Sequence, residues 1–267
     1  MTLQRGEDMR LSGKLAIITG SSRGIGLSIA TSFVKEGAKV VICSRKKDNI
    51  ENAAETLREI YPNQIFPYVL NTSHIESLEV FVKKVSDTHG VPDILVNNAA
   101  ANPYFGPLMG LEWSAFDKTV AVNLKGPLEL SRRLVQLYTQ KTLKNNENVT
   151  QLSITHISSI FGLAAAPLQG VYGMTKAALI SLTKTMSHEW GSLGVRVNCI
   201  APGLVDTHFA SALISNKGLT EKYNERSALG RYGTPDEISE MAVYLASDTS
   251  RYVTGQTFIV DGGYSVG

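Results

Sequence analysis

The sequence predicts an α/β fold: one domain built on a doubly wound parallel sheet of about seven strands, with helices on both faces. Three observations carry this expectation. Short β-rich runs alternate with longer helical patterns along almost the whole chain. A glycine turn stands between the first strand and the first helix. The 267 residues, 43% of them apolar, suffice for one substantial core. Strands joined by helices pair in parallel through right-handed crossovers, giving a Rossmann-like arrangement.

The elements follow in order. KLAIIT (residues 14–19) is an apolar run of strand length that ends at the glycine turn, and residues 24–35 continue with helical spacing. KVVIC (39–43) is the second strand, and a charged helix covers 48–60. A strand at 64–69, a helix at 75–88 and the strand DILV (93–96) extend the alternation. A long helix spans 112–138, QLSITHI (151–157) is the fifth strand, and the next helix opens with VYGMTK (171–176). VRVNCIA (195–201), a polar region to about Ala228, a helix over 235–246 and TFIV (257–260) complete the chain. The alternating apolar positions of TFIV suit a sheet edge. KNNEN (144–148) reads as a polar surface loop. Residues 1–10 read as a flexible extension, and 11–267 as a single domain with a substrate loop at 204–228.

Composition narrows the partners. A net charge of +2, without a basic tract, argues against nucleic acid and anionic lipid and leaves a small molecule or a second copy of the chain. No apolar run is long enough to span a bilayer, and the N-terminus lacks the hydrophobic centre of a secretion signal, so a soluble cytoplasmic protein is expected. Cys43 and Cys199 lie in strand-like apolar runs, as buried small hydrophobes do. His74, His89, His156, His188 and His208 are scattered without metal-ligand spacing, so no metal site is expected.

The segment TGSSRGIG (19–26) sits between strand and helix, the context in which such a turn binds a dinucleotide. Gly20 allows the tight turn, Gly24 lets backbone approach a pyrophosphate, and Gly26 permits close packing; Ser22, Arg23 and Ile25 complete the loop. The helix N-terminus adds amide donors and positive potential. At the end of the second strand, an NAD-preferring site would place a carboxylate on the ribose hydroxyls. Here Ser44, Arg45 and Lys46 stand there, with Arg23 in the loop, and guanidinium groups match a 2′-phosphate. NADP(H) is the expected cofactor; Lys46 and Lys47 also read as ordinary solvated charges.

Tyrosine and lysine one turn apart, as in VYGMTK, also occur in many helices that have no chemistry. Their context here is more specific. TGSSRGIG, NNAA (97–100), Asn123, Ser159, YGMTK (172–176), APGLVDT (201–207) and DGG (261–263) stand in the order and spacing of the short-chain dehydrogenase/reductase family, which the chain resembles from about Leu11 onward. It looks most like the NADPH-dependent carbonyl and retinal reductases of the peroxisomal type and their bacterial relatives, although it ends in SVG rather than a peroxisomal tripeptide.

The resemblance implies a catalytic set of Asn123, Ser159, Tyr172 and Lys176. In that reading Tyr172 is the general acid/base, Lys176 lowers its pKa and holds the nicotinamide ribose, and Ser159 donates to the carbonyl oxygen, with Ser158 the alternative. It also implies that Asn71, Thr72, Asn98 and Ala99 line the adenosine side. Pro202, Gly203, Val205 and Thr207 would approach the nicotinamide and phosphates. Asn71 departs from the family's usual aspartate, and Ala100 from its frequent glycine. Asn123 falls inside the helix expected over 112–138, and Pro127 has no N–H for its carbonyl. That carbonyl is then available to a water, as the family's proposed proton relay requires; a simple proline kink is the alternative.

Tyr104, Phe105, Phe161, Phe209 and Leu213 read as an apolar substrate wall, and equally as core or interface residues. The function expected is NADPH-dependent, reversible reduction of a ketone or aldehyde by a homotetramer. The alternatives are a 3-oxoacyl thioester reductase and a non-catalytic NADP(H)-binding sensor.

Overall fold

The computed structural model describes residues 9–145, 151–215 and 217–267; for residues 142–145, 212, 213 and 219 the backbone alone is described. Strands β1 (Leu15–Thr19), β2 (Lys39–Ser44), β3 (Ile65–Val69), β4 (Ile94–Asn97), β5 (Leu152–Ile157), β6 (Val195–Pro202) and β7 (Thr257–Val260) form one sheet in the order β3-β2-β1-β4-β5-β6-β7. Every pairing is parallel. Strands β1, β4, β5 and β6 are buried along their whole length. With both faces covered, β1 and β4 read in sequence as nearly continuous apolar runs, whereas β5 and β6 also bury Ser153, Thr155, His156, Arg196 and Asn198.

Strand alternation divides the core into two layers. Ile18, Val40, Ile42 and Val96 pack against Ile29 and Phe33 of α1 (Gly24–Lys35), Leu57 of α2 (Lys47–Ile60) and Val243 of α9 (Pro235–Ala246). On the other face Ile17, Val41, Leu95 and Ile154 meet Val82 of α3 (Ile75–His89), Leu134 of α5 (Gly126–Asn145) and Met186 of α6 (Gly170–Trp190). Strand order reverses between β1 and β4, so a crevice opens beyond their carboxyl ends. Cys43 and Cys199 are buried free thiols on β2 and β6.

Two regions differ from the sequence expectation. The single helix over 112–138 is instead α4 (Trp113–Val120), a π-helical segment Ala121–Lys125, and α5, which runs on to Asn145. Pro127 removes a donor that a regular α-turn needs, and the chain relaxes into the wider turn, where the Gly126 N–H reaches the Ala121 carbonyl. Lys144 and Asn145 therefore end a helix, and residues 146–148 of the expected loop lie outside the described residues. The polar region after β6 contains two helices, α7 (Ser211–Ile214) and α8 (Lys217–Arg226).

Of the expected extension, residues 1–8 lie outside the described residues, while Arg10 is tied to Glu36 and, at 3.0 Å, to Glu240. Among the described residues no helix is long and apolar enough to cross a membrane. Nor, among them, do three His, Cys, Asp or Glu side chains gather closely enough to hold a metal ion.

Candidate active site

The glycine turn at the carboxyl end of β1 is shaped for something close to its backbone. Gly20 has φ +65°, and a Cβ there would lie 2.9 Å from Ala99 Cα; Gly24 has φ +57°. Only glycine adopts these conformations without strain. A Cβ on Gly26 would stand 2.5 Å from the Gly20 carbonyl oxygen and would also strike the Asn98 amide. The close packing expected at Gly26 is thus a packing against the turn itself. Arg23, the N-cap of α1, makes no side-chain capping bond, so the first-turn amides are not claimed by its side chain. A cradle closed to any Cβ, facing uncapped amides, fits a dinucleotide pyrophosphate.

Ser21 binds the turn to β2: its Oγ donates to the Ile18 carbonyl and accepts from the Cys43 N–H, at 2.7 and 2.8 Å. Ser22 and Ser44 meet through their hydroxyls at 3.3 Å. Arg23, Arg45 and Lys46 are exposed around them and, among the described residues, form no ion pair. Asn98 has a different part from the one expected. Its Nδ2 donates to the carbonyls of Thr19 and Gly20 at 2.9 and 3.0 Å, which holds the turn rather than presenting the amide to a ligand. Asn71 Oδ1 likewise accepts from the Ser73 N–H and Oγ, at 3.2 and 2.9 Å. Thr207 packs its methyl group near Gly24. Val205 bridges to Gly233, and the Gly203 N–H donates to the Val260 carbonyl at 3.0 Å.

Beyond β5 the chain turns at Ser159, whose Oγ accepts from the Phe161 N–H at 3.2 Å and starts a 3₁₀ turn. Ser158 faces α6 and donates to the Lys176 carbonyl at 2.7 Å, a structural bond. Tyr172 and Lys176 share one face of α6, both buried, with Lys176 Nζ 5.4 Å from the tyrosine ring centre. That ammonium also donates to the Ile157 carbonyl at 2.7 Å.

Asn123, fully buried in the π-helical segment, clamps the loop after β4: Oδ1 accepts from the Ala101 N–H at 2.7 Å and Nδ2 donates to the Ala101 carbonyl at 2.9 Å. The same Nδ2 donates to Thr175 Oγ1 at 3.1 Å, and Thr175 donates to the Tyr172 carbonyl at 2.8 Å. Sequence reading missed Thr175; a hydroxyl beside the lysine is its sole trace there.

Burial pushes the Tyr172 phenol up to about 12, against a smaller opposing pull from the Ser159 hydrogen bond. In the chain alone, burial outweighs the lowering expected from Lys176. Burial lowers Lys176 itself to about 8, and its proton is engaged with the Ile157 carbonyl. His156, fully buried beneath, falls to about 3 through burial and the Lys176 charge; its Nδ1 meets Asn97 Nδ2 at 3.2 Å, and its Nε2 has no partner among the described residues.

The expected apolar wall is only partly assembled. Phe209 lies with its ring 5.8 Å from that of Tyr172. Tyr104 instead donates to the Pro107 carbonyl at 2.7 Å and staples its own loop, and Phe105 is exposed. Phe161 lines a shallow groove with Ala166, Gly173, Met174 and Ala177, on the side of α6 turned away from Tyr172, because the 3₁₀ turn carries it there. The Leu213 side chain lies outside the described residues.

A parallel sheet with a glycine cradle at its switch point, and a buried tyrosine and lysine beyond the neighbouring strands, defines a dinucleotide-dependent oxidoreductase of the doubly wound class. Residues 20–265 match a family model described as enoyl-(acyl carrier protein) reductase. The chain is 35% identical to human dehydrogenase/reductase SDR family member 4 over 253 residues, 95% of this chain and 88% of that protein. It is 34% identical to the 3-oxoacyl-[acyl-carrier-protein] reductase FabG of Thermotoga maritima over 255 residues, 96% and 99% of the two chains. A solved gluconate 5-dehydrogenase from Burkholderia cenocepacia, in complex with NADP and tartrate, superposes with a TM-score of 0.90 at 30% identity, covering 97% of this chain and 98% of that one. The chain belongs to the short-chain dehydrogenase/reductase family, oxidoreductases that act on CH–OH and C=O groups with a nicotinamide cofactor.

Proposed function

We propose that this protein reduces a ketone or aldehyde to an alcohol, reversibly, with NADPH, and that Tyr172 handles the proton. The observation that carries the reading is the buried pairing of Tyr172 with Lys176, 5.4 Å from ring centre to ammonium, next to Ser159. NADPH, when bound, supplies the hydride. Gly20, Ser22, Arg23, Gly24, Ile25 and Gly26 would hold its pyrophosphate, and Ser44, Arg45 and Lys46 its 2′-phosphate, a reading supported by the uncapped helix start and by cations without an ion pair among the described residues. Asn71, Thr72 and Ala99 would lie along the adenosine side, with Asn98 shaping the turn. Pro202, Gly203, Val205 and Thr207 would lie along the nicotinamide side.

Tyr172 is protonated at neutral pH, as an acid must be, and gives its proton to the carbonyl oxygen. Ser159 donates a hydrogen bond to the same oxygen as negative charge develops there. Lys176 places a positive charge beside the phenolate left behind, and so favours a transfer that burial alone would oppose. Asn123 fixes the loop at Ala101 and the first turns of α6 relative to each other. Its main-chain carbonyl, in the π-helical segment, is the proposed holder of a relay water. Oxidation of the alcohol runs the same steps backwards.

A 3-oxoacyl thioester is the second substrate class, favoured by the likeness to the Thermotoga maritima reductase. We further propose a cytoplasmic homotetramer, since Trp113 and Leu128 of α4 and α5 and Met174 of α6 are exposed apolar side chains seeking cover. Light scattering measures that state.

The test is loss of NADPH absorbance over a panel of diketones, retinoid aldehydes and 3-oxoacyl thioesters. Tyr172→Phe should lower turnover by about 10²- to 10⁴-fold, the range for a lost general acid. NADPH binding without turnover of any panel member would instead favour a sensor.

A further inference from the structure

The segment after β6 that would lie along the nicotinamide is held by a tyrosine with no part in the reaction above. Tyr223, in α8, accepts on its hydroxyl oxygen from the Leu204 N–H at 2.9 Å and donates to the Asp261 carbonyl at 3.4 Å. Leu204 follows the end of β6 and Asp261 the end of β7, so one hydroxyl ties together the carboxyl ends of two neighbouring strands. Among the described residues the Leu204 N–H has no other acceptor.

The phenol is itself fixed. Its ring stacks on Tyr264, which opens the 3₁₀ turn Tyr264–Val266, with 4.4 Å between ring centres and 9° between planes. The Arg226 guanidinium lies 4.5 Å from the centre of the Tyr264 ring, and Ser227 Oγ donates to the Gly262 carbonyl at 3.0 Å. The end of α8 is thus docked on the residues that follow β7. Gly203 leaves room for this arrangement: a Cβ there would strike the Tyr223 hydroxyl and stand 2.9 Å from Asp261 Cα. Its φ is not left-handed, so the glycine is needed for space and not for backbone freedom.

What the hydroxyl fixes leads directly to Val205. The Leu204 carbonyl accepts from the Gly233 N–H, and the Gly233 carbonyl accepts from the Asp206 N–H, both at 2.9 Å. A planar trans peptide points its N–H opposite to its carbonyl, so the Val205 N–H faces away from Gly233. Among the described residues that N–H has no backbone acceptor. With its own N–H on Tyr223 and its carbonyl on Gly233, Leu204 is held at both of its peptide groups, and the direction of the Val205 amide follows.

We infer that Tyr223 is a positioning residue for the nicotinamide half of the cofactor, acting through the Leu204 backbone on the Val205 amide. This rests on the reading that NADP(H) lies along residues 202–207.

The experiment measures, by calorimetry, binding of NADPH and of 2′-phospho-ADP-ribose to the wild type, Tyr223→Phe and Tyr223→Leu. The second ligand is the same cofactor without its nicotinamide ring. Phe keeps the stack on Tyr264 and removes the acceptor for Leu204; Leu removes both. NADPH should bind about fivefold or more weakly in both variants, the usual worth of a donor left without its acceptor, while the ring-free ligand stays within about twofold. Unchanged NADPH binding, or a loss that Tyr223→Phe shows equally for the two ligands, overturns the inference and leaves the cofactor reading standing. So does a wild type that binds the two ligands equally well, since the ring is then not recognised. A wild type that binds neither overturns the cofactor reading and the inference with it.

Discussion

Lys176 stands 5.4 Å from the ring centre of Tyr172 while its ammonium donates to the Ile157 carbonyl at 2.7 Å, so one charge serves both the end of β5 and the phenol. Burial lowers the lysine to about 8 and raises the tyrosine to about 12, leaving the lysine as the group that titrates near physiological pH. The lysine loses its charge as pH rises through that value. Reductive kcat/KM, which reports the free enzyme, should therefore be level below about 8 and fall above it. Lys176→Arg should remove this limb from the accessible range. A pH–rate series on both proteins measures it, and a limb unmoved by the arginine would assign it to another group.

Arg45 is an exposed cation at the end of β2, without an ion pair among the described residues. Arg45→Ala should raise the KM for NADPH by about ten- to a hundredfold, the worth of a charge-assisted phosphate contact. KM for NADH should change far less. Equal loss with both cofactors would remove this residue from 2′-phosphate recognition.

Asn98 ties the glycine turn through two donated bonds, to Thr19 and Gly20. Asn98→Ala should destabilise the protein by about 1–3 kcal/mol, the usual range for partly buried bonds lost together. It should also weaken NADPH binding, since the turn loses its fixed shape. Chemical denaturation and fluorescence titration read the two effects, and normal binding in a destabilised variant would separate the turn from the ligand.

His156 is kept neutral by burial and by the lysine charge, with its pKa lowered to about 3 from an ordinary 6.5. A histidine whose folded pKa is lowered binds fewer protons than the unfolded chain between those values. Its contribution to stability is whole above pH 6.5 and is lost as pH falls towards about 3. His156→Leu should therefore show a smaller drop in urea midpoint between pH 7 and pH 4 than the wild type. An equal drop would place the acid sensitivity elsewhere.

The fold was legible because both layers of this sheet are written in short-range signals. Burial on two faces makes β1 and β4 nearly continuous apolar runs, and the glycine turn announces the first crossover. The expectation of a catalytic set rests on the order and spacing of motifs, and the structure brings Asn123, Thr175, Tyr172 and Lys176 together. What stayed hidden depends on contacts far apart in the chain. Asn98 was assigned to the ligand because nothing local shows its bonds 78 and 79 residues back. Phe161 and Tyr104 read in sequence equally as substrate wall, core or interface, because nothing local shows the 3₁₀ turn that carries one to the far side of α6 or the bond to Pro107 that holds the other in its loop. A tyrosine–lysine spacing says nothing about how dry the surroundings are, so the upward push of burial on the phenol has no trace in sequence.

The π-helical segment Ala121–Lys125 makes chain length itself a constraint. A wider turn accommodates one more residue than an α-turn, so deleting one here would bring the backbone back to α-helical spacing and look harmless by propensity, although Pro127 would still leave one carbonyl without its helical donor. It would also rotate everything on one side of the deletion by about 100° relative to the other. Either Asn123 would leave Ala101 and Thr175, or Leu130 and Leu134 of α5 would turn out of the core. Insertions and deletions should therefore be excluded from these five residues far more strictly than amino-acid exchanges are.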